Sequence, residues 1–194
     1  MTARLLALAI AMFAVVACED ITRSIDPTTD VTEDTLTVFT LRGSPLSAPQ
    51  AIDLFRLRAV RVGGPEAQCI NFCPYDIAFD TAGGATLLYP TNLVESNQFL
   101  TVGLLEVTSS FESILEAPTS GYQDTAAVAI APGETVIVRG RNVCSGNFAG
   151  RDLFFAKVQL LDLGSSGGHL TARFRIRTNP NCGFRSFADG LPEF

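Results

Sequence analysis

The chain has no tryptophan, and its single histidine is His169. Any triad that depends on histidine must therefore use that residue. Both methionines, Met1 and Met12, and one phenylalanine, Phe13, fall in the first seventeen residues. Rigid rings and branched aliphatics must then fill the core of the remainder. Positive charge is scarce as well, with 14 Lys plus Arg against 20 Asp plus Glu. Lys157 is the only lysine; the arginine bias is what a GC-rich genome produces. Arg4 is the only charged residue before position 18, so the rest carries −7, and the basic footprint of nonspecific nucleic-acid binding is missing. There is neither a convincing long helical period nor a repeat of fixed length.

The one long apolar run, Leu5–Ala17, is shorter than the roughly 20 residues that span a bilayer. A charged residue, a short apolar run and small residues at its end predict a signal peptide over residues 1–17. The last residues of this run, Val15-Val16-Ala17-Cys18, resemble the lipobox of bacterial lipoproteins. That resemblance implies cleavage before Cys18, diacylglyceryl attachment to its thiol, and acylation of the new amino terminus. Ordinary secretory cleavage after Ala17, giving a soluble secreted or periplasmic protein, is one alternative, and an unprocessed leader that remains as an anchor is the other. Lipidation and secretion both place the protein outside the cytoplasm, and the first ties it to the cell envelope of a bacterium.

The five cysteines are Cys18, Cys69, Cys73, Cys144 and Cys182, an odd count for an exported chain. Lipidation of Cys18 leaves four, and an oxidising compartment favours bridges among them. Chain economy suggests Cys69 with Cys73 and Cys144 with Cys182, crossed pairings remaining open. The longer bridge closes about 38 residues, worth about 4 kcal/mol in the loop-entropy model. A four-thiolate zinc site is disfavoured by the CxxxC spacing and by export. No cofactor is expected.

Residues 18–35 are polar and acidic, with Asp20, Asp26, Asp30, Glu33 and Asp34, and read as a flexible tether. Residues 36–194 read as a single domain of seven to nine strands. Leu36–Arg42 is the first, and Ala51–Val62 is a long second strand whose alternation slips near Ala59. Tyr75–Asp80, Ala85–Pro90, Leu100–Val107, Thr125–Ile130 and Thr135–Arg141 follow, while Phe111–Ala117 fits either a helical turn or a strand. Phe154–Leu163 and His169–Arg177 alternate best, joined through GSSGG as a hairpin. The pattern predicts an all-β, two-sheet antiparallel sandwich, an immunoglobulin-like arrangement or a small β-barrel being the variants. The Cys-Trp-Cys core of true immunoglobulin domains is missing.

Candidate chemistry is limited. Gly164–Gly168 matches G-x-S-x-G, but a nucleophile elbow needs a helix after the serine, and an alternating strand follows. The acids of the tether, and Asp76 with Asp80, do not form a calcium loop. The more specific feature is arginine on strand faces: Arg173, Arg175 and Arg177 on one strand, Arg139 and Arg141 on another. Were these to converge, they would offer forked donors to an anionic glycan or to an envelope protein. Phe184 and Phe187 suit a core edge, and Phe194 suits either core or docking. The sequence therefore predicts a lipid-anchored protein with a non-catalytic binding or structural role. The alternatives are an envelope hydrolase with a loop-borne site, or a small subunit of a larger envelope complex.

Overall fold

The structure is a computed structural model, and it describes residues 28–63, 74–95, 101–143 and 153–191. Ten strands run in chain order: β1 (Thr32–Phe39), β2 (Ala51–Asp53), β3 (Arg58–Val60), β4 (Ile77–Ala82) and β5 (Ala85–Pro90), then β6 (Gly103–Val107), β7 (Val128–Ala129), β8 (Thr135–Asn142), β9 (Leu153–Ser166) and β10 (His169–Asn179). A single helical turn, α1 (Thr91–Val94), follows β5, and a 3-10 turn covers Phe111–Ser113. The strands form two antiparallel sheets of five, ordered β1-β10-β9-β8-β6 (sheet A) and β3-β2-β4-β5-β7 (sheet B). They face each other as a sandwich and do not close into a barrel.

Alternation explains the core. Phe154, Ala156, Val158 and Leu160 of β9 and Ala172, Phe174 and Ile176 of β10 share one face and are fully buried. Opposite them stand Ile52, Ile77, Phe79 and Leu88 of sheet B. Phe79 meets Phe174 edge-on at 5.9 Å, a ring pair worth about 0.5–1.5 kcal/mol beyond its buried area. The β9–β10 hairpin closes on Gly167 and Gly168, both at positive φ, as a two-residue turn matching the strand twist requires. Gly164, Ser165 and Ser166 therefore belong to β9, and β10 follows the turn directly, so the elbow reading has no helix behind its serine.

Two sequence expectations change. The first strand begins at Thr32 rather than Leu36, because Glu33 and Asp34 lie opposite Arg177 and Ile176 of β10. Part of the presumed tether is thus sheet. Ala51–Val62 is not one bulged strand but a hairpin, β2 turning into β3 through Leu54–Leu57. Asp53 closes that turn: its Oδ1 accepts the Arg56 N–H at 3.3 Å, and its Oδ2 binds Arg56 and Arg58. Leu57 at φ 48° takes up the reversal. Of the two readings open for Phe111–Ala117, the helical turn is the one found: a 3-10 turn followed by extended chain that belongs to neither sheet.

Candidate functional site: the covered face of the arginine-bearing sheet

The outer face of sheet A is partly covered. The chain from Phe111 to Tyr122 crosses it as a strap, and the tail from Phe184 to Asp189 lies beside the strap. The two segments bond to each other, Phe187 N–H to Leu115 O and Ala117 N–H to Arg185 O, each at 2.8 Å. Beneath them Ile114, Ala117 and Phe187 pack on Ile137 of β8 and Phe155 of β9 as a second core. Phe187 is thereby buried in the chain's own fold, while Phe184 is half-buried and Phe194 lies outside the described residues.

Two of the β10 arginines hold this layer down. Arg175 Nε lies 2.6 Å from Glu33 Oε1 of β1, and its Nη1 lies 2.5 Å from Glu112 Oε1 of the 3-10 turn. Arg177 shares Glu33 at 3.2 Å and binds Asp189 of the tail. Arg173 pairs across the hairpin with Asp162; both are about half exposed, so solvent screens the pair and it adds little. Hydrogen bonding to Arg175 pulls the Glu112 carboxyl below its ordinary range. Arg175 and Arg177 thus staple strap and tail to the sheet, whereas Arg173 pairs within it.

Lys157, opposite Arg177 in the register, sits under the strap. Its Nζ donates to Phe111 O at 2.6 Å and Ile114 O at 3.0 Å, with the Phe111 ring 4.3 Å away. Burial pushes this amine below its ordinary value.

Arg141 does not share the face of Arg139. The β8–β9 register shifts between Arg139 and Asn142, which breaks the period of two and turns Arg141 between the sheets. There it is 2% exposed, with Nη2 2.9 Å from Asp53 Oδ1 and Nη1 2.6 Å from Asp76 Oδ2. Asp76 Oδ2 also accepts the Leu54 N–H at 2.8 Å, and its Oδ1 the Arg141 N–H at 3.2 Å. Burial raises the Asp76 carboxyl, against the pull of Arg141. This cluster pins sheet A to sheet B and is closed to any ligand. Asp80 takes a different partner, Arg42, at 2.5 Å.

Arg139 keeps the outward direction. It stands opposite Gly103 of β6, and a Cβ there would meet Tyr122 Cβ at 2.8 Å and Arg139 Nη2 at 3.2 Å. The missing side chain thus lets the guanidinium lie across β6 onto the Tyr122 ring, 5.2 Å from its centroid. Burial pushes the Tyr122 phenol up to about 12, with Arg139 and Arg185 pulling against it. Among the described residues no carboxylate pairs with Arg139, and its Nε is buried without a hydrogen-bond partner. Leaving such a donor unsatisfied costs about 1–3 kcal/mol. The guanidinium borders a cleft of about 280 Å³, lined also by Thr119, Leu153, Phe155, Gly183 and Arg185. Arg185 is committed elsewhere, to Glu116 and to Ala117 O at 2.8 Å.

The remaining candidates separate. Cys182 is disulfide-bonded. Cys18, Cys69, Cys73 and Cys144 lie outside the described residues, as does the chain before Thr28. His169 Nδ1 lies 2.7 Å from Gly43 O, a contact that fixes a loop. Among the described residues no group of three or more His, Cys, Asp or Glu could hold a metal ion, and no helix is long and apolar enough to cross a membrane.

Sequence reasoning missed the Asp53–Asp76–Arg141 cluster, because a bulge leaves no local signature in the chain. It also missed Arg185, which packs through the tail. Comparison of the chain with models of protein families, with curated proteins and with solved structures found no match.

Proposed function

We propose that this chain is an extracytoplasmic protein, lipid-anchored through Cys18, with a non-catalytic binding or structural role at the bacterial cell envelope. The observation that carries the reading is Val15-Val16-Ala17-Cys18, behind an apolar leader and ahead of an acidic arm. The arm's entry into the sandwich supports it. Asn181 Oδ1 accepts the N–H groups of Thr28 and Thr29 at 2.9 and 3.1 Å, and its Nδ2 donates to Thr29 O. An arm pulled from its far end would load this clamp and the edge strand β1 before the core. From Cys18 to Thr28 the chain can reach about 33 Å when extended, enough to hold the sandwich off a bilayer surface.

The test is fractionation with metabolic labelling. Cells fed a palmitate analogue should yield labelled protein in the membrane fraction, partitioning into the detergent phase. Cys18→Ser should lose the label and leave the membrane fraction. Unlabelled wild-type protein, or a Cys18→Ser variant that behaves like wild type, would overturn the reading.

A further inference from the structure

We propose that the cleft between Arg139 and Arg185 is a binding site for a small organic carboxylate with an apolar body. The proposal gives the binding role above a ligand class, but it does not depend on the lipid anchor. Five arginines were candidates for anion contact, and the fold disposes of four. Arg173, Arg175 and Arg177 are neutralised by Asp162, Glu33, Glu112 and Asp189, and Arg141 is sealed between Asp53 and Asp76. Arg139 alone of the five meets no carboxylate among the described residues, and it lines a cleft large enough for a small molecule.

Charge and shape select the ligand. Arg185 is already balanced by Glu116, so among the described residues the cleft carries one uncompensated positive charge. A carboxylate balances it, whereas a phosphate dianion would bring a second charge without a partner. The guanidinium fork matches the two oxygens of a carboxylate. The Thr119 side chain adds a hydroxyl on the lining, and Leu153 and Phe155 provide an apolar wall for the rest of the molecule. Gly103 keeps the guanidinium in place, since any side chain there would displace Tyr122 or Arg139.

The Tyr122 ring lies against the Arg139 guanidinium, 5.2 Å from its centroid, and the chain has three tyrosines and no tryptophan, so a change in tyrosine emission reports on Arg139. The full chain, purified in detergent, is titrated with benzoate, glucuronate and inorganic phosphate. Saturable benzoate binding is expected, with glucuronate and phosphate each about tenfold weaker or more. Arg139→Gln should weaken benzoate about tenfold or more, while Arg173→Gln should change it less than about twofold. A circular dichroism melt checks that Arg139→Gln is folded, and Thr119→Val, on the strap outside both sheets, is the second probe, expected to weaken benzoate measurably. Absence of saturable benzoate binding, equal or better binding of phosphate or glucuronate, or affinity unchanged in both cleft variants would each overturn the proposal. None of these outcomes bears on lipidation at Cys18, so the two readings fail separately.

Discussion

Replacing Arg141 with methionine removes the cation that joins the two sheets. The side chain is 2% exposed and its two carboxylate partners are fully buried, so water cannot substitute for it. Breaking a buried pair by deleting one partner costs about 3–5 kcal/mol, mostly through the charge left behind. Here the charges left are two. Asp53 keeps Arg56 and Arg58, at 3.2 and 3.1 Å, reaching it from the surface. Asp76 keeps only backbone donors, from Leu54 and residue 141. Asp76 therefore bears the larger penalty, and adding Asp76→Asn to Arg141→Met should restore about 1–2 kcal/mol. The pH dependence follows from the same charge. The folded-state pKa of Asp76 already lies above the ordinary 3.8, and losing Arg141 raises it further. A carboxyl so raised stabilises the fold at pH values below its unfolded pKa and loses that contribution as pH rises through its folded pKa. The deficit of Arg141→Met should accordingly shrink as pH falls from 7 towards 4. Urea melts followed by circular dichroism, with disulfides kept oxidised, measure each quantity. A loss below about 1 kcal/mol at pH 7, or one that grows on acidification, would refute the argument that this cluster pins the sheets.

Two other perturbations probe the covering layer and the arm. The folded-state pKa of Lys157 is depressed by burial, with Arg175 and Arg177 of β10, Glu33 of β1 and Glu112 of the 3-10 turn as its charged neighbours. Between that value and the ordinary 10.5 the unfolded chain binds more protons, so stability should rise with pH there. Above about 10 the raised Tyr75 and Tyr122 phenols should reverse the trend, because they ionise first in the unfolded chain. Lys157→Met should abolish the rise and cost about 1–3 kcal/mol by orphaning the Phe111 and Ile114 carbonyls. Thermal melts at stepped alkaline pH check both statements. Asn181→Ala should cost about 1–2 kcal/mol and speed amide exchange at Thr28 and Thr29, leaving Phe154–Leu160 protected. Hydrogen-exchange mass spectrometry of the two segments tests it, and equal acceleration in both would contradict the clamp.

The sandwich was legible wherever alternation was uninterrupted. The β9–β10 hairpin follows from Phe154, Ala156, Val158 and Leu160 against Ala172, Phe174 and Ile176, and it lies at the centre of sheet A. Where a side chain rather than the period decided the chain path, sequence was silent. Asp53 turns Leu54–Leu57 into a hairpin by accepting from Arg56, and no two-residue turn signal marks that site. Arg139 and Arg141 share a parity in sequence, yet the register shift after Arg139 sends one outward and the other into the core. Lys157 alternates as a solvent-facing residue should, and is buried only because a strap more than thirty residues earlier in the chain covers it. The arginine ladder was visible as a ladder. Its partners were not, since Glu33, Glu112 and Asp189 come from three distant segments.

The proposed export and maturation at Cys18 would give the cysteine count, the acidic arm and the Asn181 clamp a common explanation. Intact mass spectrometry of the protein extracted from bacterial membranes tests that event most directly. The account predicts a polypeptide beginning at Cys18 and carrying a diacylglyceryl group and an N-acyl chain. A mass corresponding to a chain that still begins at Met1, or to an unmodified amino terminus at Cys18, would contradict it.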